Sequence, residues 1–198
     1  VLQELARFHR NKFKIPIIGI TGTNGKTTTK ELLAVVLAKK FNVLFTLGNL
    51  NNHIGVPLTL LKLRKEHDFA IIEMGANHIG DIMELCEIAL PNYGVITNVG
   101  KAHMEGFGSF ENIIKTKTEL YEFIESVKGN VFVNSNEKEL VDLRTHFPKT
   151  YNKDTLACCA VHAICAIVEY FEFKSYANNP LKPSLIGVLI LLLQMKYK

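Results

Sequence analysis

Short runs of apolar residues alternate along this chain with longer segments in which apolar positions recur every three or four residues. The apolar runs predict buried strands, and the periodic segments predict amphipathic helices. The predicted strands cover residues 15–20, 42–46, 68–75, 93–97 and 130–135, and the predicted helices cover 1–10, 30–37, 58–63, 82–90, a stretch beginning after 109, and 136–143. This alternation predicts an α/β fold of three layers, with a mostly parallel sheet flanked by helices.

The pattern weakens after residue 149. Residues 157–173 predict one apolar helix, and residues 175–183 predict a loop that contains two prolines. We therefore expect one domain over residues 1–175 and a tail of uncertain structure over residues 176–198. The most apolar segment, 185–193, is too short to span a membrane, which needs roughly 20 residues, so we expect no membrane insertion.

Composition narrows the class of protein. Of the 198 residues, 47% are hydrophobic and 21% are charged, as is typical of a globular protein that can bury a core. The net charge of +4 favours an anionic ligand, but it is too small and too dispersed to indicate nucleic acid. The four cysteines form no C-x-x-C pair, and the chain begins without a signal peptide. We therefore expect reduced thiols and a cytoplasmic protein.

The best-defined motif is the turn between the first strand and the second helix, Gly22-Thr23-Asn24-Gly25-Lys26-Thr27-Thr28. A strand, a glycine turn, a Lys-Thr pair and a helix predict a phosphate-binding loop, and hence a P-loop NTPase-like domain. Lys26 would reach the β- and γ-phosphates, while Thr27 would offer its hydroxyl to Mg²⁺. Ile20 departs from the usual pattern, which has glycine there. The alternative is an ordinary turn with a solvated lysine.

Two further strand ends carry polar residues. The loop at 47–57 is rich in glycine and asparagine and includes Asn51 and Asn52, at the edge of the sheet where ligands bind. These asparagines could instead satisfy turn geometry alone. Glu73 ends an apolar strand, where an acid beside a phosphate loop is positioned to hold Mg²⁺. Because an unpaired buried acid is costly, we expect a cationic partner for Glu73; the alternative is a cap on the following turn.

The loop after the fourth strand contributes His103, which could ligate a metal or serve a structural role. The helix that follows has Ser109 as its predicted N-cap. It carries Lys115 and Lys117, which cannot share a face because residues two apart diverge around a helix. At most one of these lysines can point into the site.

Together these motifs resemble the Mur ligase family, the ATP-dependent amide-forming enzymes of peptidoglycan precursor synthesis. The resemblance covers residues 2–134 and includes the phosphate loop with its non-glycine Ile20 and the segments 49–57, 73–82 and 102–109. It implies that the loop binds ATP through Gly22, Thr23, Asn24, Gly25, Lys26, Thr27 and Thr28.

The resemblance also implies a set of catalytic and metal-binding roles. Thr27, Glu73 and His103 would surround Mg²⁺. Lys117 matches the lysine that the family carbamylates to bridge a second Mg²⁺. Lys26, Lys117 and His103 would therefore be the catalytic residues, and Asn51 and Asn52 would lie near the UDP-muramoyl substrate.

Within the family, segments 49–57 and 73–82 look most like the members that add D-alanyl-D-alanine to UDP-N-acetylmuramoyl-tripeptide. In the implied reaction, the tripeptide carboxylate attacks the γ-phosphate of ATP, and the amine of D-alanyl-D-alanine then displaces phosphate from the acyl phosphate. Such ligases have three domains, so we expect a monomeric central ATPase domain without the UDP-substrate and C-terminal domains. The alternatives are a nucleotide-binding module without turnover and another amide ligase of this fold, such as a tripeptide-forming Mur ligase or a folylpolyglutamate synthase.

Overall fold

The computed structural model describes residues 1–100, 104–133, 140 and 150–151. Its helices are α1 (Leu2–Arg10), α2 (Lys26–Leu37), α3 (Gly55–Leu60), α4 (Asp81–Ala89), α5 (Met104–Phe107) and α6 (Phe110–Ser126). Its strands are β1 (Ile17–Thr21), β2 (Val43–Phe45), β3 (Phe69–Glu73), β4 (Tyr93–Ile96), β5 (Asn130–Phe132) and β6 (Thr150–Tyr151). No helix within these ranges is both long enough and apolar enough to cross a membrane.

Several predicted elements lie outside the described residues. These are the end of the fifth predicted strand, the helix predicted over 136–143 apart from residue 140, the helix predicted over 157–173, and the tail over 176–198. The domain boundary expected at residue 175 therefore stays a prediction.

The six strands form one sheet in the order β2-β3-β1-β4-β5-β6. Every neighbouring pair is parallel. At the centre, Ile20 of β1 lies between Glu73 of β3 and Val95 of β4. The carboxyl ends of these three strands consequently meet at one edge, which is where open α/β sheets bind ligands.

Hydrophobic cores cover both faces of the sheet. Successive side chains of a strand point to opposite faces, so that Ile17 joins one core and Ile18 the other. Helix α2 covers the Ile18 face through residues such as Leu33 and Leu37. Helices α3, α4 and α6 cover the Ile17 face, and α1 packs on α3 and α4. The three-layer α/β fold with a parallel sheet is confirmed.

Two helices begin earlier than the hydrophobic pattern predicts. Helix α2 starts at Lys26 rather than at residue 30, because its first turn is polar and carries no apolar periodicity. Helix α3 starts at Gly55 rather than at residue 58. There the Oδ1 atom of Asn52 accepts the N–H groups of Ile54 and Gly55 at 3.1 and 2.9 Å, which stabilises the turn into the helix.

The start of α6 agrees with the sequence prediction. Ser109 is its N-cap, and its Oγ atom accepts the N–H group of Asn112 at 3.2 Å. This bond satisfies one of the N–H groups that every helix start leaves unpaired. It fixes the point at which the chain enters the helix that carries Lys117.

Candidate functional site

The phosphate loop is held against the segment that follows β4. Gly22 has a φ of +143°, and a Cβ atom at this position would lie 2.0 Å from Oγ1 of Thr97. That hydroxyl donates to the carbonyl oxygen of Asn24 at 2.6 Å. Glycine is required at position 22 both by the backbone conformation and by the close approach of the two segments.

Asn98 binds the middle of the loop. The N–H group of Thr23 donates to the carbonyl oxygen of Asn98 at 3.1 Å, and the N–H group of Asn24 donates to its Oδ1 atom at 2.9 Å. The amides of Thr23 and Asn24 are thus engaged inside the protein, so their contact with ATP stays a prediction. These bonds fix the shape of the loop.

The next N–H groups along the chain are directed differently. Gly25, with a φ of +76°, precedes the first turn of α2, and that turn has no side-chain cap. Within the described part of the chain, the N–H groups of Gly25, Lys26, Thr27 and Thr28 have no acceptor. Unpaired N–H groups at the positive end of a helix attract anions. The start of α2 therefore supplies the donors for a phosphate group.

Lys26 lies over this loop. Its Nζ atom donates to the carbonyl oxygens of Gly22 and Thr23 at 2.7 and 3.1 Å. Burial lowers the pKa of Lys26, and the charge of Glu73 partly opposes that shift. The ammonium group is thus partly desolvated and close to the unpaired N–H groups, which suits contact with a polyphosphate.

Glu73 is the carboxylate of the site and is only 1% exposed. Its Oε1 atom accepts from Oγ1 of Thr27 at 3.2 Å and from Nδ2 of Asn51 at 2.8 Å. Its backbone N–H donates to the hydroxyl of Thr46 at 3.0 Å. Its Oε2 atom makes no hydrogen bond with any described residue but lies 3.4 Å from Nζ of Lys30. The expected cationic partner of Glu73 is present, and it is a lysine.

The oxygen atoms of Thr27 and Glu73 also fit Mg²⁺. Mg²⁺ binds oxygen at about 2.0–2.1 Å in an octahedron, so adjacent ligands lie roughly 2.9 Å apart. The 3.2 Å between Thr27 Oγ1 and Glu73 Oε1 is close to that spacing. The described residues contain no cluster of three histidine, cysteine or acidic side chains, so phosphate and water would supply the other ligands. His103 lies outside the described residues, and its role as a ligand stays a prediction.

Lys30 is the residue that sequence reasoning missed. The sequence contained a signal for it, because Lys30 lies on the buried stripe of α2 with Leu33, Ala34 and Leu37. A lysine on an apolar helix stripe requires a buried acceptor. The acceptor could not be identified from the sequence because it depends on how α2 packs against β3.

The choice between Lys115 and Lys117 is now determined. Lys115 is exposed, whereas Lys117 is only 4% exposed and lies in the same cavity wall as Lys26. Burial, and then the charge of Lys26, lower the pKa of Lys117 to about 8, against the smaller opposing effects of Asp81 and Glu119. Its Nζ atom is 5.7 Å from the centre of the Phe107 ring. Its metal-bridging role stays a prediction.

Glu119 also went unnoticed in the sequence. From α6 it reaches the start of α4, where Oε1 accepts the N–H group of Gly80 at 2.7 Å and Oε2 accepts that of Met83 at 2.9 Å. These charge-assisted bonds fix α4 against α6. Asp81 binds the preceding turn in the same way, accepting the N–H groups of Asn77 and His78.

A cavity of about 480 Å³ lies beside the phosphate loop at the carboxyl edge of the sheet, and Lys26 and Lys117 are in its wall. Asn51 and Asn52 both line the cavity, and each also has a structural contact, so their place near the UDP-muramoyl substrate stays a prediction. The phosphate loop, the Asn-rich loop, the turn after β3 and helix α6 all contribute to its wall: Gly22, Thr23, Lys26, Asn51, Asn52, His53, Gly75, Ala76, Asn77, His78, Asp81, Glu84, Leu85, Phe107, Ile113 and Lys117.

Comparison with known protein families agrees with this geometry. Residues 20–170 match the Mur ligase middle domain. The chain belongs to the Mur ligase family. The matched range begins in β1 and includes the phosphate loop, Glu73 and Lys117, so the family match covers every described element of the site.

Known relatives refine the family assignment. The chain is 53% identical over 118 residues to the UDP-N-acetylmuramoyl-tripeptide–D-alanyl-D-alanine ligase of Synechocystis sp., a match that covers 60% of this chain and 26% of that protein. The structure of MurF from Acinetobacter baumannii superposes with a TM-score of 0.70 at 38% identity, covering 75% of this chain and 33% of the other. The MurF ligase of Thermotoga maritima in complex with ADP gives a TM-score of 0.68 at 38% identity, covering 76% and 35%. This Mur ligase domain thus spans about a third or less of the length of these relatives.

Proposed function

We propose that this domain binds ATP for a ligase that joins D-alanyl-D-alanine to UDP-N-acetylmuramoyl-tripeptide in peptidoglycan precursor synthesis. The observation that carries the proposal is the Thr27–Glu73 oxygen pair at the start of α2, next to Lys26. The buried Lys117 lies in the same cavity wall as Lys26. Relatives that are named for this reaction support the choice of substrates.

Different residues would bind the phosphates and the metal ion of ATP. The N–H groups of Gly25 to Thr28 bind phosphate oxygens, and Lys26 exchanges its two carbonyl partners for the β- and γ-phosphates. Thr27 and Glu73 hold Mg²⁺. When bound, Mg²⁺ neutralises charge on the phosphates during transfer. The pre-shaped loop keeps the γ-phosphorus in line with the attacking group.

The proposed reaction has two steps. A carboxylate oxygen of the tripeptide attacks the γ-phosphorus, the bond to the β-phosphate oxygen breaks, and ADP leaves. The amine of D-alanyl-D-alanine then attacks the acyl carbon, the carbon–oxygen bond to phosphate breaks, and the nitrogen loses a proton. Negative charge grows next to Lys26 in the first step, and the ammonium group of Lys26 lies in the cavity wall, where it can stabilise that charge.

Lys117 is proposed to carry a carbamate when the ligase is active, as the family resemblance implies. Its amine nitrogen would attack CO₂, form the N–C bond and release one proton. Only a neutral amine can react in this way, and the pKa of about 8 leaves a larger neutral fraction near neutral pH than an exposed lysine has. Its position in the cavity wall, facing Lys26, is the geometric support.

A second candidate is a nucleotide-binding module without turnover. The observation in its favour is that the match spans only 26% of the length of the Synechocystis ligase. We propose that the 198-residue chain binds nucleotide and does not complete ligation by itself. The monomeric state and the cytoplasmic location remain predictions that size-exclusion chromatography and cell fractionation would test.

Two measurements test the proposed function. Isothermal titration of the chain with ADP and Mg²⁺ should show binding that Lys26→Ala abolishes and that Lys115→Ala, on the exposed side of α6, leaves unchanged. Equal affinity in the Lys26 variant would contradict the assignment of the loop.

Phosphate release from ATP should require UDP-N-acetylmuramoyl-tripeptide and D-alanyl-D-alanine together, in a protein that joins this chain to the rest of a full-length relative. Release with a different amine acceptor instead would indicate another ligase of the family.

A further inference from the structure

Lys30 has three oxygen partners although its side chain is 0% exposed. Its Nζ atom lies 3.1 Å from Oε1 of Glu31 and 3.4 Å from Oε2 of Glu73, and it donates to the carbonyl oxygen of Gly48 at 2.9 Å. The ammonium group is thus held by one hydrogen bond, to Gly48, and by two ion pairs, to Glu31 and Glu73. A fully buried charge is costly unless it is paired, and Lys30 and Glu73 pair with each other. An apolar residue at position 30 would leave the buried carboxylate of Glu73 without this partner.

The partners of Lys30 belong to different parts of the site. Glu73 ends β3, while Gly48 lies in the Asn-rich loop that follows β2. The same loop is held again three residues later, where Asn51 donates its Nδ2–H to Glu73 and accepts the N–H group of Gly75 at 2.7 Å. Lys30 thus binds the loop at Gly48 and Glu73 binds it at Asn51, which itself lines the cavity together with Asn52 and His53.

The two oxygens of Glu73 have separate partners. Oε2 faces Lys30, and Oε1 faces Thr27 and Asn51. Thr27 and Glu73 would hold a metal ion through oxygen atoms on the Oε1 side of the carboxylate, away from Lys30. The contacts of Lys30 and Asn51 with the carboxylate are compatible with that change. Fixing the carboxylate would therefore also fix the loop that is attached to it.

We propose that Lys30 is a positioning residue that couples metal–nucleotide binding at Thr27 and Glu73 to the order of loop 47–53, and so to the wall of the substrate cavity. The inference rests on the proposed Mg²⁺–nucleotide site. It adds that the loop becomes more ordered when the metal binds, and that this effect passes through the Lys30–Glu73 pair and its contacts with Gly48 and Asn51.

Amide hydrogen exchange of the full 198-residue chain tests the coupling. Exchange in peptides covering 47–53 is compared with ADP plus Mg²⁺ and with ADP plus EDTA. In the unsubstituted chain, Mg²⁺ should slow exchange in the loop about tenfold, within the range of ordinary coupling between sites. Lys30→Met should reduce that metal-dependent factor to less than about twofold while ADP affinity in EDTA changes little, because Lys26 and the α2 amides remain. A role confined to stability would not remove the dependence on metal.

Glu31→Gln is the matched control. Glu31 also contacts Lys30, but its side chain is 48% exposed, and within the described residues it makes no hydrogen bond or ion pair with the loop. The metal-dependent slowing should persist in this variant. Its loss there would overturn the proposal, because general disturbance of the Lys30 charge would then explain the effect.

Asn51→Ala covers the case in which Lys30→Met fails to fold. This variant removes the side-chain bond from Asn51 to Glu73, keeps the backbone bond between Asn51 and Gly75, and removes no charge, and it should likewise lose the metal-dependent slowing. Slowing that persists in Asn51→Ala or in a folded Lys30→Met chain overturns the proposal.

The unsubstituted chain distinguishes failure of the coupling from failure of the proposed function. If it binds ADP and Mg²⁺ but exchange in the loop does not change, the coupling is wrong and the proposed function stands. If Mg²⁺ does not affect ADP binding at all, the proposed function itself fails.

Discussion

The hydroxyl of Thr27 lies 3.2 Å from Oε1 of Glu73, which joins the start of α2 to the end of β3. Both oxygens are ligands of the kind that Mg²⁺ prefers. We expect Thr27→Ala to reduce the gain in ADP affinity that Mg²⁺ provides by about tenfold or more. Titration calorimetry with and without EDTA measures that gain. Thr28→Ala is the control, since Thr28 contributes only its N–H group, and an equal loss in both variants would argue against a metal at this position.

Lys117 gives a pH-dependent prediction of stability. Its pKa in the folded chain is about 8, below the ordinary value of 10.5. Between these two values the unfolded chain binds a proton that the folded chain has lost, so stability rises as the pH increases through this window. Below about pH 8 the charged, buried amine destabilises the fold, by at most about 3 kcal/mol.

Replacing Lys117 with an uncharged residue removes the destabilisation caused by its buried charge. Lys117→Met should raise Tm near neutral pH, and the gain should fade as the pH approaches about 10. Thermal unfolding in bicarbonate-free buffer with EDTA measures it. The exposed Lys115→Met variant should show no such trend, and a gain at Lys117 that is constant with pH would disprove the electrostatic explanation.

Gly22 and Gly25 should respond differently to alanine. Both have positive φ, but a Cβ atom at Gly22 meets Oγ1 of Thr97 at 2.0 Å, whereas nothing lies within 4 Å of one at Gly25. Gly25→Ala should cost about 1–2 kcal/mol for its backbone conformation alone. Gly22→Ala should cost several kcal/mol and separate the loop from β4. Urea unfolding of the two variants compares these costs, and equal values would show that the contact with Thr97 is unimportant.

Arg10 lies outside the site, and we expect its replacement to lower the free energy of unfolding. Its buried guanidinium group donates to carbonyl oxygens of the linker after α1 and to those of Ala89 and Leu90 at the end of α4, at 3.0 and 3.3 Å. Arg10→Ala leaves these buried acceptors unpaired and should cost about 3 kcal/mol in the free energy of unfolding. The exposed Arg7→Ala variant should change it by less than about 0.5 kcal/mol. ADP affinity of the folded Arg10 variant should remain unchanged, and a large change would mean that α1 acts on the site.

The sequence predicted those parts of the fold and site that depend on local pattern. Lys26 and Thr27 lie in a contiguous motif, and Glu73 ends an apolar strand, so their place at one edge of a parallel sheet could be expected. Lys30, Asn98 and Glu119 could not be assigned, because each acts on an element distant in sequence, and the contact depends on packing between elements. Lys115 and Lys117 show how far the local pattern could go. Helical periodicity indicated that only one of them could face the site, and the family resemblance was needed to identify it as Lys117.

The bonds between Asn98 and the phosphate loop have a consequence for protein engineering. The backbone of residues 23 and 24 is hydrogen-bonded to the segment after β4 rather than to itself. Residues 22–25 and 97–100 therefore form one conformational unit assembled from two separate parts of the gene. Grafting the glycine-rich heptapeptide alone onto another α/β scaffold would transfer the sequence of the motif without its shape, so both segments have to be transplanted together.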